Sequence, residues 1–544
     1  SRRVWHRRIA HAFEAIYTNT DDSLASDIAR HFELGDDALR AVPYYLLAAR
    51  HAESLHAHDE ALELLARAAQ GALPCDVHSE LLLLRETIHR RTGNRVAQQE
   101  DIHQLERLAE SDHVLRANVL HRKILLARSL GSRDEESAFI RELEAVVRTL
   151  DRAEWQGRLL ACKADYYALV NQFDEAVEAA GAALAVHTAL SDVDGQVADL
   201  CVLVSVTTHR GSLAAARLHL ADAQKLAETQ GNPRLVADTL FAASSSAMML
   251  HDLTPCMDLA TTAMELYVSL GDREGEADAL ARVATALARL GRHDEAREHN
   301  VAAAAIFESI GKRQGLAIAV LNIGLISCRL GVLGRAIAEF ERSAELFRTI
   351  HDIRGQAVCA INLSCLRLRM GNAAEAKADA QRALELARKM KHAVYEAEAL
   401  ANLGAAERDL GELDIAIGHM KEGLGRQLET GRVSDRVNDL ADLALAYFLG
   451  GNLTAACEAV GEVLSAAEGA PDVSLWPQNL YWIAARVYRG AGRDADWPPL
   501  LASAHTIMHE RAGALSDPGE RDAFFALPLN REIEEAATGQ GWPS

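Results

Sequence analysis

The chain is short of the material from which most folds and most active sites are built. Aromatic residues make up 5% of the 544, and prolines number 11. The apolar content of 49% therefore comes largely from Ala and Leu, which favours helix and leaves little for a sheet. Positive charge is also scarce, with a net charge of −21 and a pI near 5.5. Phosphate neutralisation needs clustered Lys and Arg, so direct nucleic-acid binding by the chain as a whole is excluded. The eight cysteines (Cys75, Cys162, Cys201, Cys256, Cys328, Cys359, Cys365, Cys457) include no C-x-x-C pair and read as reduced core thiols of a cytoplasmic protein. No apolar run approaches the ~18 residues of a membrane span, and the opening SRRVWHRRIAHAF lacks the apolar core of a signal peptide. The first residue is not Met, so the chain reads as the tail of a longer polypeptide.

Catalytic motifs are missing as well. A phosphate-binding loop needs glycine amides leading into Lys and a hydroxyl. The only Gly-Lys pair, Gly311 and Lys312, has Ile306 in place of the first glycine and Arg313 in place of the hydroxyl. Neither G-x-S-x-G nor H-E-x-x-H occurs. His51, His56 and His58 have no cysteine at metal-ligand spacing and read as a solvated hairpin rim. Cys359 and Cys365 do not share a helix face and read as buried thiols. The expectation is a binding protein without catalytic residues, cofactor or metal site.

What is present is a repeat. Gly211, Gly291, Gly331, Gly371, Gly411 and Gly451 fall on one 40-residue lattice, with Gly131, Asn171 and His251 at the remaining nodes. Half a period away lie Gly231, Gly271, Gly311 and Gly431, with Ser191, His351 and Lys391 where glycine is absent. Two tight turns per repeat leave two helices of about 15 to 18 residues each. Small residues recur five after the first node (Ala176, Ala216, Cys256, Ala296, Ala336, Ala376, Ala416, Ala456) and seven before it (Ala164, Val204, Ser244, Ala284, Gly324, Ser364, Gly404, Ala444). A third column, Ala183, Ala223, Ala263, Ala303, Ser343 and Ala383, marks another close crossing, with Leu226, Leu266, Ile306, Leu346 and Leu386 as larger knobs. Asp134, Asp174, Thr254, Asp294, Asp414 and Thr454 stand where N-caps are expected, with Pro255 at the first helical position.

These columns resemble the tetratricopeptide repeat in its long, 40-residue form. The resemblance implies an all-α fold, a tetratricopeptide-repeat superhelix (α-solenoid) of about 11 to 12 helix hairpins. The expected division is an N-terminal helical segment at 1–72, irregular hairpins at 73–130, regular repeats at 131–470 and a helical cap at 471–544. Helices are expected at 1–19, 21–34, 36–55 and 58–72, with Asp36 or Asp37 and Asp59 as caps. Composition changes at the cap, because seven prolines and four tryptophans lie in the last 74 residues.

Both ends carry a second resemblance. The stretch from Arg7 to Ala68, with Ala29 to Phe32 (ARHF) and Ala41 to Ala49, is similar to the segment that follows the winged-helix module in bacterial STAND-type signalling ATPases, such as LuxR-like or antibiotic-pathway activators and some adenylate cyclases. The closing D-P-x-x-R-x-x-F and N-R-E-I runs, Asp517, Pro518, Arg521, Phe524, Asn530, Arg531, Glu532 and Ile533, resemble the last helices of the same proteins. The resemblance implies N-terminal ATPase and winged-helix domains beyond this chain. Arg2, Arg3, Arg7 and Arg8 would then cover acidic neighbours there.

In the tetratricopeptide family the first helix of each hairpin lines the concave surface. Nine residues before the node this places Ala242, Arg282, Asn322, Asn362, Asn402 and Asp442, and two before it Arg289, Arg329 and Arg369, joined by Arg367 and Arg408 from neighbouring faces. Asparagines at this height match the family's peptide-backbone column, but they also serve hydrogen bonds between hairpins. Arginine before a turn likewise suits a helix C-terminus. Guanidinium groups in an acidic chain make a local trough for carboxylate or phosphate. Phe241, Met248, Met249, Leu325 and Leu368 would line it. The expected partner is a peptide, protein or small anionic effector, held by a sensor arm that controls the ATPase and effector domains. The alternative is a passive adaptor scaffold without a switch.

Overall fold

The computed structural model describes residues 2–16, 24–70, 73–430, 436–469, 474, 476–515 and 517–543. Among them are 28 helices and no strand. The fold is an all-α solenoid of tetratricopeptide type. Its first helices, called A here, are Ala153–Leu169, Val193–His209, Pro233–Met249, Arg273–Arg289, Arg313–Arg329, Ile353–Arg369, Ala393–Asp409 and Arg436–Leu449. The B helices that follow them are Phe173–Leu190, Leu213–Gln230, Leu253–Ser269, His293–Ser309, Leu333–Thr349, Ala373–Met390, Leu413–Thr430 and Leu453–Gly469.

Both lattices of turns are observed. Every described node is left-handed, from Gly131 (φ +78°) and Gly211 (φ +74°) to Gly451 (φ +76°). Where glycine is missing the chain bears the strain, as at Asn171 (φ +61°), His351 (φ +55°) and Lys391 (φ +54°). Gly431 lies outside the described residues. The small columns are the core: Ala176, Cys256, Ala296, Ala336 and Ala376 are fully buried, as are Val204, Ser244, Ala284, Ser364 and Ala444.

The caps need correcting. Asp134, Asp174 and Asp294 stand one residue inside their helices, where they face the helix dipole, and the true cap positions are Ser132, Gln172 and Arg292, none with a side-chain cap bond. Pro255 is likewise the third helical residue, not the first. Side-chain caps instead gather on the other lattice, with Asn452, which accepts from the Ala455 amide at 3.2 Å, as an exception on the first. Asp192, Asp272 and Asp352 accept from the amides of Gly195, Gly275 and Gly355 at 2.9–3.1 Å, and Asn232 accepts from Arg234. Those glycines have a second role, because a Cβ on Gly195, Gly275, Gly315 or Gly355 would strike the ring of His187, Tyr267, Phe307 or Phe347. In two repeats the sizes are exchanged, with Ala227 before the turn and Leu235 after it, then Ala387 and Tyr395.

The chain forms two compact units, Ser1–Gly315 and Leu316–Ser544. In the first unit the early helices are Arg2–Ile16, Ala25–Leu34, Ala38–Ser54 and His58–Ala68, close to the expected spans. Asp37 is at a cap position without a side-chain bond, and Asp59 lies in a first turn. Arg3 and Arg7 hold the neighbouring turn, Arg3 by pairing with Asp36 at 2.9 Å and Arg7 by donating to the Gly35 carbonyl at 2.7 Å. His58 is no solvated rim residue: it is 8% exposed and packs on the turn at Gly271. Arg95 donates to the Ile310 carbonyl at 3.0 Å and pairs with Glu274 at 2.9 Å. The early hairpins thus dock on the turns at 271 and 311 of their own unit.

In the second unit the chain after 476 folds back in the same way. The closing motif does this work. Asp517 caps the Pro518–Phe525 helix, Arg521 donates to the Ala512 and Leu515 carbonyls, and buried Asn530 donates to the Phe524 carbonyl at 2.8 Å. Phe524, 1% exposed, sits against Gly331, and Pro528 against Gly371. A side chain at either glycine would be strained by its positive φ and crowded by the cap.

Candidate functional site

The A helices Arg313–Arg329 and Ile353–Arg369 end at the turns on which the cap docks, which places the Arg329 and Arg369 side chains beside it. Trp476, just before the Pro477–Gly490 helix, is 4% exposed. The guanidinium carbons of Arg369 and Arg511 stand over its ring at 5.9 and 5.0 Å. Arg511, from the Trp497–Gly513 helix, also donates to the Arg329 carbonyl at 3.5 Å. Beneath them lie Cys328 and Cys365. Burial and the nearby Cys365 thiol push Cys328 up to about 12, against the pull of Arg369, Arg511 and Arg329. Burial draws the Arg511 guanidinium below its ordinary value. Among the described residues no carboxylate pairs with Arg329, Arg369 or Arg511. The guanidinium groups of Arg369 and Arg511 therefore meet over Trp476 with their charge unmatched, and the exposed Arg329 ends the neighbouring helix.

Asn322 and Asn362 lie two turns back on the same helices as Arg329 and Arg369. The Asn362 amide donates to the Val358 carbonyl at 2.8 Å within its own helix. Asn402 donates to the Ile361 carbonyl at 3.0 Å, a strut between successive A helices. Arg408 is 8% exposed and pairs with Asp442 at 2.6 Å and Asp409 at 2.8 Å. Burial opposes its charge, and those two carboxylates more than restore it, raising its pKa. Arg367 is likewise held by Glu341 and Glu375 at 2.6 and 3.2 Å and by Asp379. Leu325 packs with the cap core and Leu368 with the core of the last repeats.

In the first unit, Arg282 stands over the Phe241 ring at 5.4 Å, and burial lowers its pKa. Arg289 is exposed at the end of its helix, Met249 is exposed beside its own turn, and Met248, 4% exposed, packs in the core with Cys256 and Ala286. This unit also encloses a cavity of about 270 Å³ lined by Arg91, Arg128, Arg234, Asp238, Tyr267 and Asp278. Its opposite charges satisfy one another: Arg234 pairs with Asp272 at 2.7 Å, Tyr267 donates to Asp238 at 2.7 Å, and Lys312 pairs with Asp278 at 2.7 Å. That arrangement is a packing seam. Arg511 and Trp476 were not among the residues expected from the sequence. Each joins the cluster through a fold-back of more than 100 residues, which leaves no local signal.

Residues 316–389 match the tetratricopeptide repeat family. Among solved structures, the chain is similar to one from the APC/C hetero-tetramer Cut9-Hcn1, at TM-score 0.54 and 17% identity, over 89% of this chain and 93% of that one. A Rap protein complexed with competence and sporulation factor matches at TM-score 0.42 and 16% identity, over 64% of this chain and 99% of that one. Aspartyl phosphate phosphatase F from Bacillus subtilis matches at TM-score 0.44 and 15% identity, over 64% and 93%. At these identities the first likeness is one of fold. No curated protein sequence matches the chain. Among the described residues no helix is long and apolar enough to cross a membrane.

Proposed function

We propose that the chain is a ligand- or protein-binding sensor arm of a STAND-type transcription regulator or signalling ATPase, working in the cytoplasm and binding rather than transforming its ligand. The observation that carries this reading is the pair Arg369 and Arg511 over Trp476, beside the helix end that carries Arg329 and without a carboxylate, in a chain of net charge −21. Such a cluster is suited to an acidic peptide, an acidic protein segment or a small anionic effector. Two of its arginines belong to repeat helices and one to the folded-back cap. An anion held by all three favours the docked cap over any other arrangement, and that differential affinity is what a switch requires. ATPase and winged-helix domains joined to the chain would read the position of the cap.

The test uses calorimetry with hexaglutamate peptide and with inorganic phosphate. A charge-assisted hydrogen bond is worth roughly 1.5–3 kcal/mol, so Arg329→Ala, Arg369→Ala and Arg511→Ala should each weaken binding about tenfold or more. Asn362→Ala should cost less. Undiminished binding in the Arg329→Ala/Arg369→Ala double variant would sink the site. A gene whose upstream sequence holds no phosphate-loop ATPase would leave an adaptor in place of the sensor.

A further inference from the structure

The cap holds a second group of side chains, independent of the arginine cluster. His505 and His509 lie four residues apart on one face of the Trp497–Gly513 helix, and Glu534 approaches them from the Pro528–Ala537 helix. His505 Nε2 is 3.1 Å from Glu534 Oε2, His509 Nε2 is 3.0 Å from the same oxygen, and the two Nε2 atoms are 3.1 Å apart. The three atoms form a nearly equilateral triangle. With the carboxylate ionised, protons cannot satisfy it, because each ring nitrogen offers one hydrogen or one lone pair, along one direction. With both nitrogens protonated, two N–H groups abut. With one of them bare, its lone pair faces the carboxylate.

A metal ion removes the conflict. Tetrahedral Zn²⁺ with bonds of about 2.0–2.1 Å has its ligand atoms about 3.3–3.4 Å apart, a slight widening of what is present. We propose that His505, His509 and Glu534 are a three-ligand site for a divalent transition metal of the zinc class, with the fourth position left to water or a further ligand. Two imidazoles and one carboxylate select such ions over Mg²⁺ or Ca²⁺, which take oxygen. The side chains are 34%, 46% and 40% exposed, so the ion can enter without unfolding the cap. Phe525 covers one side, its ring centre 5.1 Å from that of His509. Bound metal would tie the Trp497–Gly513 and Pro528–Ala537 helices together, and Arg511 lies two residues beyond His509 on the first of them.

The whole chain, reduced and freed of metal by chelator, is titrated calorimetrically with Zn²⁺ and optically with Co²⁺. The expected result is one equivalent bound at about micromolar affinity or tighter, with a visible Co²⁺ spectrum of low-coordinate N/O type and no thiolate charge-transfer band. His505→Ala and His509→Ala should each weaken Zn²⁺ about 100-fold and Glu534→Gln at least about tenfold, while the metal-free melting temperature of each variant stays near that of the parent. The thermal shift given by Zn²⁺ should vanish with the binding. Binding that persists in His509→Ala, a thiolate band, or affinity no better than millimolar would each overturn the site.

Discussion

Lys391 ends its helix in the left-handed region, at φ +54°, where its lattice neighbours Gly231, Gly271 and Gly311 carry no Cβ. An L-residue with a Cβ pays roughly 1–2 kcal/mol there, and glycine escapes most of it. Lys391→Gly should therefore raise stability by about 1 kcal/mol, less the added freedom of the unfolded chain, seen as a higher urea midpoint at unchanged m-value. This scale was the most legible in the sequence. Repetition announces the turns even where the residue type is wrong, as at Asn171, His251 and His351, because position in the lattice outweighs identity at one node. The candidate site was legible only in part. Arg329 and Arg369 follow from the register, but whether a guanidinium is free or tied depends on its partners. Arg408 stands one residue earlier in the repeat than Arg369, and it alone of the two meets carboxylates, those of Asp409 and Asp442.

At the level of the helix, the two lattices differ in how helices begin. A helices after the second lattice are capped by side chains, whereas B helices such as Phe173–Leu190 and His293–Ser309 carry acids inside the first turn instead. Asp at the second helical position and Asp at the cap both precede an alternating apolar pattern, so sequence spacing alone confuses them. The energies differ. Asp352→Ala should cost about 1 kcal/mol through the orphaned Gly355 amide, whereas Asp294→Ala should cost only a few tenths through the dipole, screened by salt. Paired urea melts at low and high salt distinguish them: a salt-dependent loss at Asp352 would return the cap to the other lattice. His505 and His509 stand one helical turn apart in the sequence, but the third group, Glu534, comes from another helix, and no register pairs it with them.

On the scale of the whole molecule, each unit is closed by a chain end lying on its own turns, and ionisable groups held between its packed hairpins make stability depend on pH. His121 is ringed by Arg122, Arg158, Arg90 and Arg128, and burial together with those cations lowers its pKa from the ordinary 6.5 to about 3. The folded protein keeps this ring neutral while the unfolded chain takes up a proton below 6.5. The stability it leaves intact at neutral pH is therefore lost progressively as pH falls from 6.5 towards 3. Between pH 7 and pH 5 the loss should be on the order of 1–2 kcal/mol, and His121→Gln should remove that part of the dependence in urea melts. Glu274 acts in a lower window. Burial would raise its pKa, but Lys312 and Arg95 bring it down to about 2, so its contribution survives until pH falls below about 4.5.

The joints between hairpins also set how such a chain can change its length. His187, Tyr267, Phe307 and Phe347 each bring bulk to a turn that glycine vacates, while Ala227 and Ala387 do the reverse for Leu235 and Tyr395. A joint therefore has a polarity. Excising the 40 residues from Asp272 to Gly311 would set Tyr267 against Gly315, like for like. Excising those from Asp192 to Gly231 would drive His187 into Leu235, and excising those from Asn232 to Gly271 would leave Ala227 facing Gly275 across a void. The unit of inheritance in this array is thus the interval between two joints of the same polarity, so that lengthening or shortening by recombination heals cleanly at some repeats and leaves a wound at others.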